Sequence, residues 1–151
     1  MKFFLFLFLF LAGFLQISYS QSKNKIDCNT LKTIIESEIY KHRFPWVCAK
    51  ESAMYPFTII DSSSYLKDCD NYFKICNRQI IVSHKWRSYL KIDGYRDESK
   101  LDNIVVVSVE FESANNFMID FWEPLSNGHI KLSVKKLNDK IEIKTIEEGS
   151  Y

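Results

Sequence analysis

The chain has 151 residues, a formal net charge of +1 and 46% hydrophobic residues, with 12 Phe but only 4 Gly and 3 Pro. At roughly 100–200 residues per domain, it holds one ordinary domain. Low Gly and Pro exclude collagen-like and linker-like chains, the apolar content excludes disorder, and the balanced charge excludes the basic footprint that nucleic acids and anionic membranes require.

The first segment reads as export machinery. Lys2 supplies a short positive start, and residues 3–15 form an apolar run that ends at Gln16. Ser18-Tyr19-Ser20 then places small residues at the −3 and −1 positions of a cleavage site. This is the three-part pattern of a secretory signal peptide over residues 1–20, and the run falls short of the ~20 apolar residues a membrane span needs. Six of the twelve Phe lie in this segment, so half of the Phe excess says nothing about the fold. The mature domain is expected to cover residues 21–151. Lys2 is the only charge removed, so the mature net charge is zero. The only local tilt is Arg78, Lys85, Arg87, Lys91 and Arg96 against Asp93, read as a solvated face. No Asn-x-Ser/Thr acceptor for N-glycosylation occurs.

Residues 28–43 read as a helix with Leu31, Ile34, Ile35 and Ile39 on one face, Asp27 as N-cap, and Phe44-Pro45 as the stop. A second helix is expected over residues 65–76, where Leu66, Cys69, Phe73 and Cys76 recur at helical spacing. The four cysteines, Cys28, Cys48, Cys69 and Cys76, form an even set in an exported chain and imply two disulfides. Fifteen helical steps carry the chain about 22 Å from Cys28, and the five residues to Cys48 return at most about 17 Å. Pairing 28 with 48 is therefore disfavoured. Two cysteines seven apart on a helix are about 10.5 Å apart, too far for 69 to pair with 76. The favoured pairing is Cys28–Cys76 with Cys48–Cys69, the nested pattern of an antiparallel helix pair; its rival is Cys28–Cys69 with Cys48–Cys76.

Residues 77–103 are the least legible. A short strand is expected at residues 79–83, followed by a helix capped by Ser83 through Trp86 and Leu90 and a turn at Gly94, or by a strand through Leu90, Ile92 and Tyr95. From Ile104 the pattern alternates with a period of two, predicting about four antiparallel strands over residues 104–147. A three-residue loop, Ser113-Ala114-Asn115, opposes Phe111 to Phe117. A two-residue turn at Asn127-Gly128 opposes Phe121 to Val134, with Pro124 marking a bulge or open edge. A two-residue turn at Asn138-Asp139 opposes Val134 to Ile143. All three registers bring the apolar residues to one face. Met118, Asp120 and Trp122 fall on the other.

No His-x-x-x-His, Gly-x-Ser-x-Gly, P-loop or acidic metal loop occurs, so no metal site and no cofactor is expected. Among the histidines only His84 has suggestive neighbours, Trp86, Arg87 and Tyr89.

The N-terminal helices and the C-terminal strands with Ile130-Lys-Leu-Ser-Val134 and Asn138-Asp-Lys-Ile-Glu-Ile143 resemble small secreted α+β proteins of the nuclear-transport-factor-like and cystatin-like folds. The resemblance covers roughly residues 100–147 and is one of architecture. It implies a curved sheet wrapped around helices, with a pocket or a homodimer formed through the sheet. It does not carry protease inhibition, because Gln79-Ile-Ile-Val-Ser83 has Ile and Ser where the inhibitory Gln-x-Val-x-Gly hairpin has Val and Gly.

The sequence thus predicts a secreted or periplasmic single α+β domain, its helices cross-linked by disulfides and packed on an antiparallel meander. The leading expectation is a non-catalytic binding domain whose surface includes Met118, Asp120 and Trp122, with His84 and Trp86 as further candidates. Its partner class is an extracellular or envelope protein or a small ligand. The alternative is a small hydrolase- or isomerase-like enzyme with a pocket near His84 and Asp120.

Overall fold

A computed structural model describes residues 24–50, 56–69, 73–84, 103–138 and 140–150. The segment expected to be a signal peptide, Trp86, the helix or strand expected around Leu90, and the turn at Gly94 lie outside the described residues.

Among the described residues two short helices come first, α1 (Cys28–Ile35) and α2 (Glu38–Arg43), followed by a 3-10 turn at Pro45–Cys48. Asp27 caps α1 as its position predicts, accepting hydrogen bonds from the Thr30 amide at 2.9 Å and the Thr30 hydroxyl at 2.8 Å. The single helix expected over residues 28–43 is broken at Ser37. Its hydroxyl donates to the Ile34 carbonyl at 2.6 Å and accepts from the Tyr40 amide, so one side chain ends α1 and begins α2.

Among the described residues the sheet has seven strands: β1 (Phe57–Asp61), β2 (Lys74–Ile75), β3 (Arg78–Ser83), β4 (Ile104–Ser113), β5 (Asn116–Glu123), β6 (Gly128–Leu137) and β7 (Lys140–Ser150). Their order is β2-β3-β1-β4-β5-β6-β7. The class is α+β, but the sheet is not a four-stranded antiparallel meander. β1 pairs in parallel with both β3 and β4, and only the joints from β4 onward and the β2–β3 hairpin are antiparallel. β1 was not among the expected strands; after Pro56 its apolar run is only Phe57-Thr58-Ile59-Ile60. Ile59 and Ile60 are both fully buried, as a parallel strand covered on both faces requires.

The second helix expected at residues 65–76 is not formed by its described residues, 65–69 and 73–76. Leu66 instead forms a parallel bridge with Ile26, fixed by Ile26 N–H to the Tyr65 carbonyl and Lys67 N–H to the Ile26 carbonyl. Lys74 and Ile75 pair with Gln79 and Arg78 around a two-residue turn at Cys76-Asn77, both in the left-handed region. The Cys76 amide donates to the Glu36 carboxylate at 2.9 Å. These non-local bonds override a helical spacing that was coincidental.

The disulfides change with it. They are Cys28–Cys69 and Cys48–Cys76, with Cα separations of 5.7 and 5.0 Å, not the favoured 28–76 and 48–69. The nested pairing presumed two antiparallel helices. Without the second one, Cys69 lies beside the start of α1, and the β2–β3 turn brings Cys76 to the 3-10 turn. No cysteine is free, and among the described residues no helix is long and apolar enough to cross a membrane.

The helices pack on one face of the sheet. Leu31, Ile34, Ile35, Tyr40 and Phe44 meet Val105, Val107, Val109, Phe117, Ile119, Phe121, Ile130, Leu132 and Val134, the residues the alternation assigned to the buried face. The Phe111–Phe117 and Val134–Ile143 registers are as expected, but the first loop is the two-residue Ala114-Asn115 rather than Ser113-Ala114-Asn115: Ser113 pairs with Asn116, and a bulge at Glu112 restores the register. The β5–β6 register is not as expected. Phe121 opposes Ile130, because the connection is a four-residue turn at residues 124–127 rather than the pair Asn127-Gly128. Gly128 belongs to β6, and a Cβ there would lie 2.7 Å from the guanidinium of Arg43. Arg43 donates to the His129 and Gly149 carbonyls and so ties α2 to the ends of β6 and β7. The shift is four residues, an even number, so the buried face survives the wrong register.

Candidate functional site

The face opposite the helices forms a grid, because side chains directly across an antiparallel pair have Cβ atoms about 4.5–5.5 Å apart. Along β5 it carries Met118, Asp120 and Trp122. Met118 lies between Glu110 and Ser133, Asp120 between Ser108 and Lys131, and Trp122 between Val106 and His129. The outer row continues with Lys144 beside Ser133, Glu147 beside Lys131 and Gly149 beside His129. The sheet thus gathers the three β5 candidates into one patch and adds His129, Lys131, Glu110 and Glu147.

One end of the patch is apolar. Trp122 packs against Ile60, Ile104 and Val106, which are buried on this face, and its indole N–H donates to the Asn127 side chain at 3.1 Å. The imidazole of His129 is 6% exposed and faces Glu147 at 3.5 Å. Its ring lies over Gly149, where a Cβ would come within 3.2 Å of His129 Cε1. Asp120 sits at the centre. Its Oδ1 is buried and has no hydrogen-bond partner among the described residues. Burial raises the Asp120 pKa above its ordinary value of 3.8; His129 and Lys131 offset this in part, while Glu147 and Glu110 add to it. A buried acceptor without a donor is costly in a folded protein; Asp120 as a whole is half-buried, so a partner can supply a donor where its side chain meets solvent.

His84 belongs to a different place. It follows β3 at the carboxyl ends of the parallel strands, where Nδ1 faces the fully buried Asp61 carboxylate at 3.2 Å and Nε2 faces the exposed Asp68 at 3.0 Å. Asp61 also accepts from Ser63 N–H at 3.0 Å, the Ser63 hydroxyl at 2.8 Å and Leu66 N–H at 2.7 Å. Along β1, Asp61 has the parity of Ile59, which packs in the helix-side core; Ile60 belongs to the opposite face with Trp122. Asp61 and its partner His84 are therefore on the helix side, whereas Asp120 is on the other. The sheet separates the two residues expected to share a pocket. Ser63 and Ser62 are also committed: the first accepts from Val109 N–H, and the second donates to the Val107 carbonyl. Both ring nitrogens of His84 face carboxylates, an arrangement that anchors the Ser62–Ser64 turn to the end of β3.

Trp86 lies outside the described residues. Among the described residues no group of three or more His, Cys, Asp or Glu is arranged to hold a metal ion.

No protein-family model matches the chain, and no match to it was found among curated proteins or solved structures.

His129 and Lys131 escaped sequence reasoning because the two-residue turn opposed Trp122 to Ser133 and Asp120 to Lys135. A four-residue turn at residues 124–127, signalled by Pro124, brings both into line.

Proposed function

We propose that this is an exported, non-catalytic binding domain that recognises its partner through the sheet face centred on Asp120. The two disulfides support an oxidising compartment outside the cytoplasm, and residues 1–20 carry the signal that takes the chain there. The observation that carries the binding reading is the buried, unpartnered Asp120 Oδ1 set between Met118 and Trp122. That combination suits a partner presenting an N–H or O–H donor on an apolar arm. The donor completes Asp120, and the arm covers Met118 and the exposed edge of Trp122. His129 and Lys131 border the site on β6 and fix the orientation of a group carrying its own acceptor.

The test is capture from envelope and secreted extracts by the immobilised, oxidised domain, repeated with Asp120→Ala and with Trp122→Ala. The exposed, distant Leu137→Ser serves as control. Capture lost in both site variants and kept in the control supports the proposal. A captured partner retained equally by all three, with melting profiles showing folded protein, overturns it.

A further inference from the structure

We infer that β7 is the contact strand of a symmetric homodimer in which two copies join edge to edge into one continuous sheet. β7 ends the sheet, and among the described residues nothing pairs with its outer side. Such an edge presents unpaired backbone groups that another strand can use. Residues 149–150 are engaged by Arg43, which reaches the Gly149 carbonyl and the Ser150 side chain, and a bulge at Ile146 separates them from the regular edge. The open part is 140–146.

Its sequence is self-complementary. For a continuous sheet with both helix layers on the same side, residues facing each other must have the same parity, so the two-fold axis passes through a residue. An axis at Ile143 places Glu142 opposite Lys144 of the second copy, twice by symmetry. It also places Ile143 against its own copy, and Ile141 against Thr145. An axis at Glu142 opposes Glu142 to itself and Lys140 to Lys144, and an axis at Lys144 opposes Lys144 to itself. An axis at Ile141 also matches Lys140 with Glu142, but it overlaps only three β7 residues before the hairpin turn, against seven for Ile143.

The same register closes the core. Ile141 and Ile143 pack against the helix-side core yet remain partly exposed at its rim. The second copy covers them with its own Ile143 and Thr145. On the opposite face the row becomes Lys135, Glu142 and the second copy's Lys144, an alternation that extends the existing Lys135–Glu142 pair. The occupant is therefore a second copy of this chain, chosen by charge and by face.

The test is sedimentation velocity of the oxidised protein recovered from an export-competent host, over about 1 to 300 µM. The wild type is expected to show a concentration-dependent monomer–dimer equilibrium. Lys144→Glu is the cleaner single change, because its own β6 neighbour is the neutral Ser133. It sets Glu against Glu142 of the second copy and is expected to weaken the dimer at least tenfold. The swap Glu142→Lys with Lys144→Glu restores complementarity and should recover the wild-type constant within about threefold. A wild type that stays monomeric throughout, a dimer indifferent to Lys144→Glu, or a swap that fails to recover while its thermal melt matches wild type each overturns the inference.

Discussion

Asp61 gives the sharpest stability prediction. Its carboxylate is fully buried and accepts from the Ser63 amide, the Ser63 hydroxyl and the Leu66 amide, while facing His84 Nδ1. In Asp61→Asn the remaining oxygen can keep the two Ser63 contacts, but the new amide N–H₂ then points at the Leu66 N–H. One charge-assisted bond is lost, worth about 1.5–3 kcal/mol, and a buried donor is orphaned at a further ~1–3 kcal/mol. His84 can accept from the amide in its other tautomer and recover part of this. The expected net loss is about 3 kcal/mol, a large share of the 5–15 kcal/mol typical of a domain. At an m-value of about 1.5 kcal/mol/M, the urea midpoint should fall by roughly 2 M. The assay is equilibrium unfolding followed by Trp fluorescence, with both disulfides intact. His84→Ala removes the solvent-exposed partner, whose place water can take while the three hydrogen bonds to Asp61 remain, and should cost only about 1 kcal/mol. An Asp61→Asn midpoint within about 0.5 M of wild type would refute the reasoning.

Three further changes have defined directions. Burial alone would raise the Asp27 pKa, but hydrogen bonds from Thr30 and the Lys136 ammonium hold it down at about 2. Its stabilisation is thus complete above its ordinary value of 3.8 and is lost as pH falls from about 4 to about 2. Asp27→Ala should cost about 1 kcal/mol at pH 7 through the lost N-cap, and acid titration of both proteins should show the gap closing near pH 2. Asp120 carries the opposite sign: its raised pKa means that ionisation works against the fold as pH rises above 3.8. Asp120→Asn should therefore raise the melting temperature at pH 7 and leave it unchanged at pH 3, as calorimetry can check. Gly128→Ala pushes the Arg43 guanidinium off the β6–β7 end. It should cost about 1–2 kcal/mol in urea unfolding through the lost carbonyl contacts.

The antiparallel half of the fold was legible because one buried face imposes alternation along β5, most of β6, the later part of β4 and the start of β7, and the residues so assigned lie in the core or pack against it. The α1 cap was legible because Asp27 acts on an amide three residues away. What failed was non-local. Parallel pairing leaves no short turn between its strands, so the partners of β1 had no local signature. The spacing of Leu66, Cys69, Phe73 and Cys76 imitated a helix where a bridge to Ile26 and a tight turn at Cys76-Asn77 prevail. The candidate patch was half legible. Met118, Asp120 and Trp122 follow from alternation along one strand, but His129 and Lys131 depend on a register that Pro124 moves by four residues.

The edge-joined dimer would place two Asp120-centred faces on one side of a continuous sheet. The dimer contact runs along the outer edge of β7, two strands away from Asp120, so Asp120→Ala should leave the dimer constant unchanged.

The most direct test of the recognition surface is amide chemical-shift mapping of the oxidised domain as a captured partner is titrated in. The largest changes should fall on residues 106–110, 118–122 and 129–133, and should disappear in Asp120→Ala. Changes concentrated around Asp61, Asp68 and His84, on the helix side of the sheet, would contradict the account.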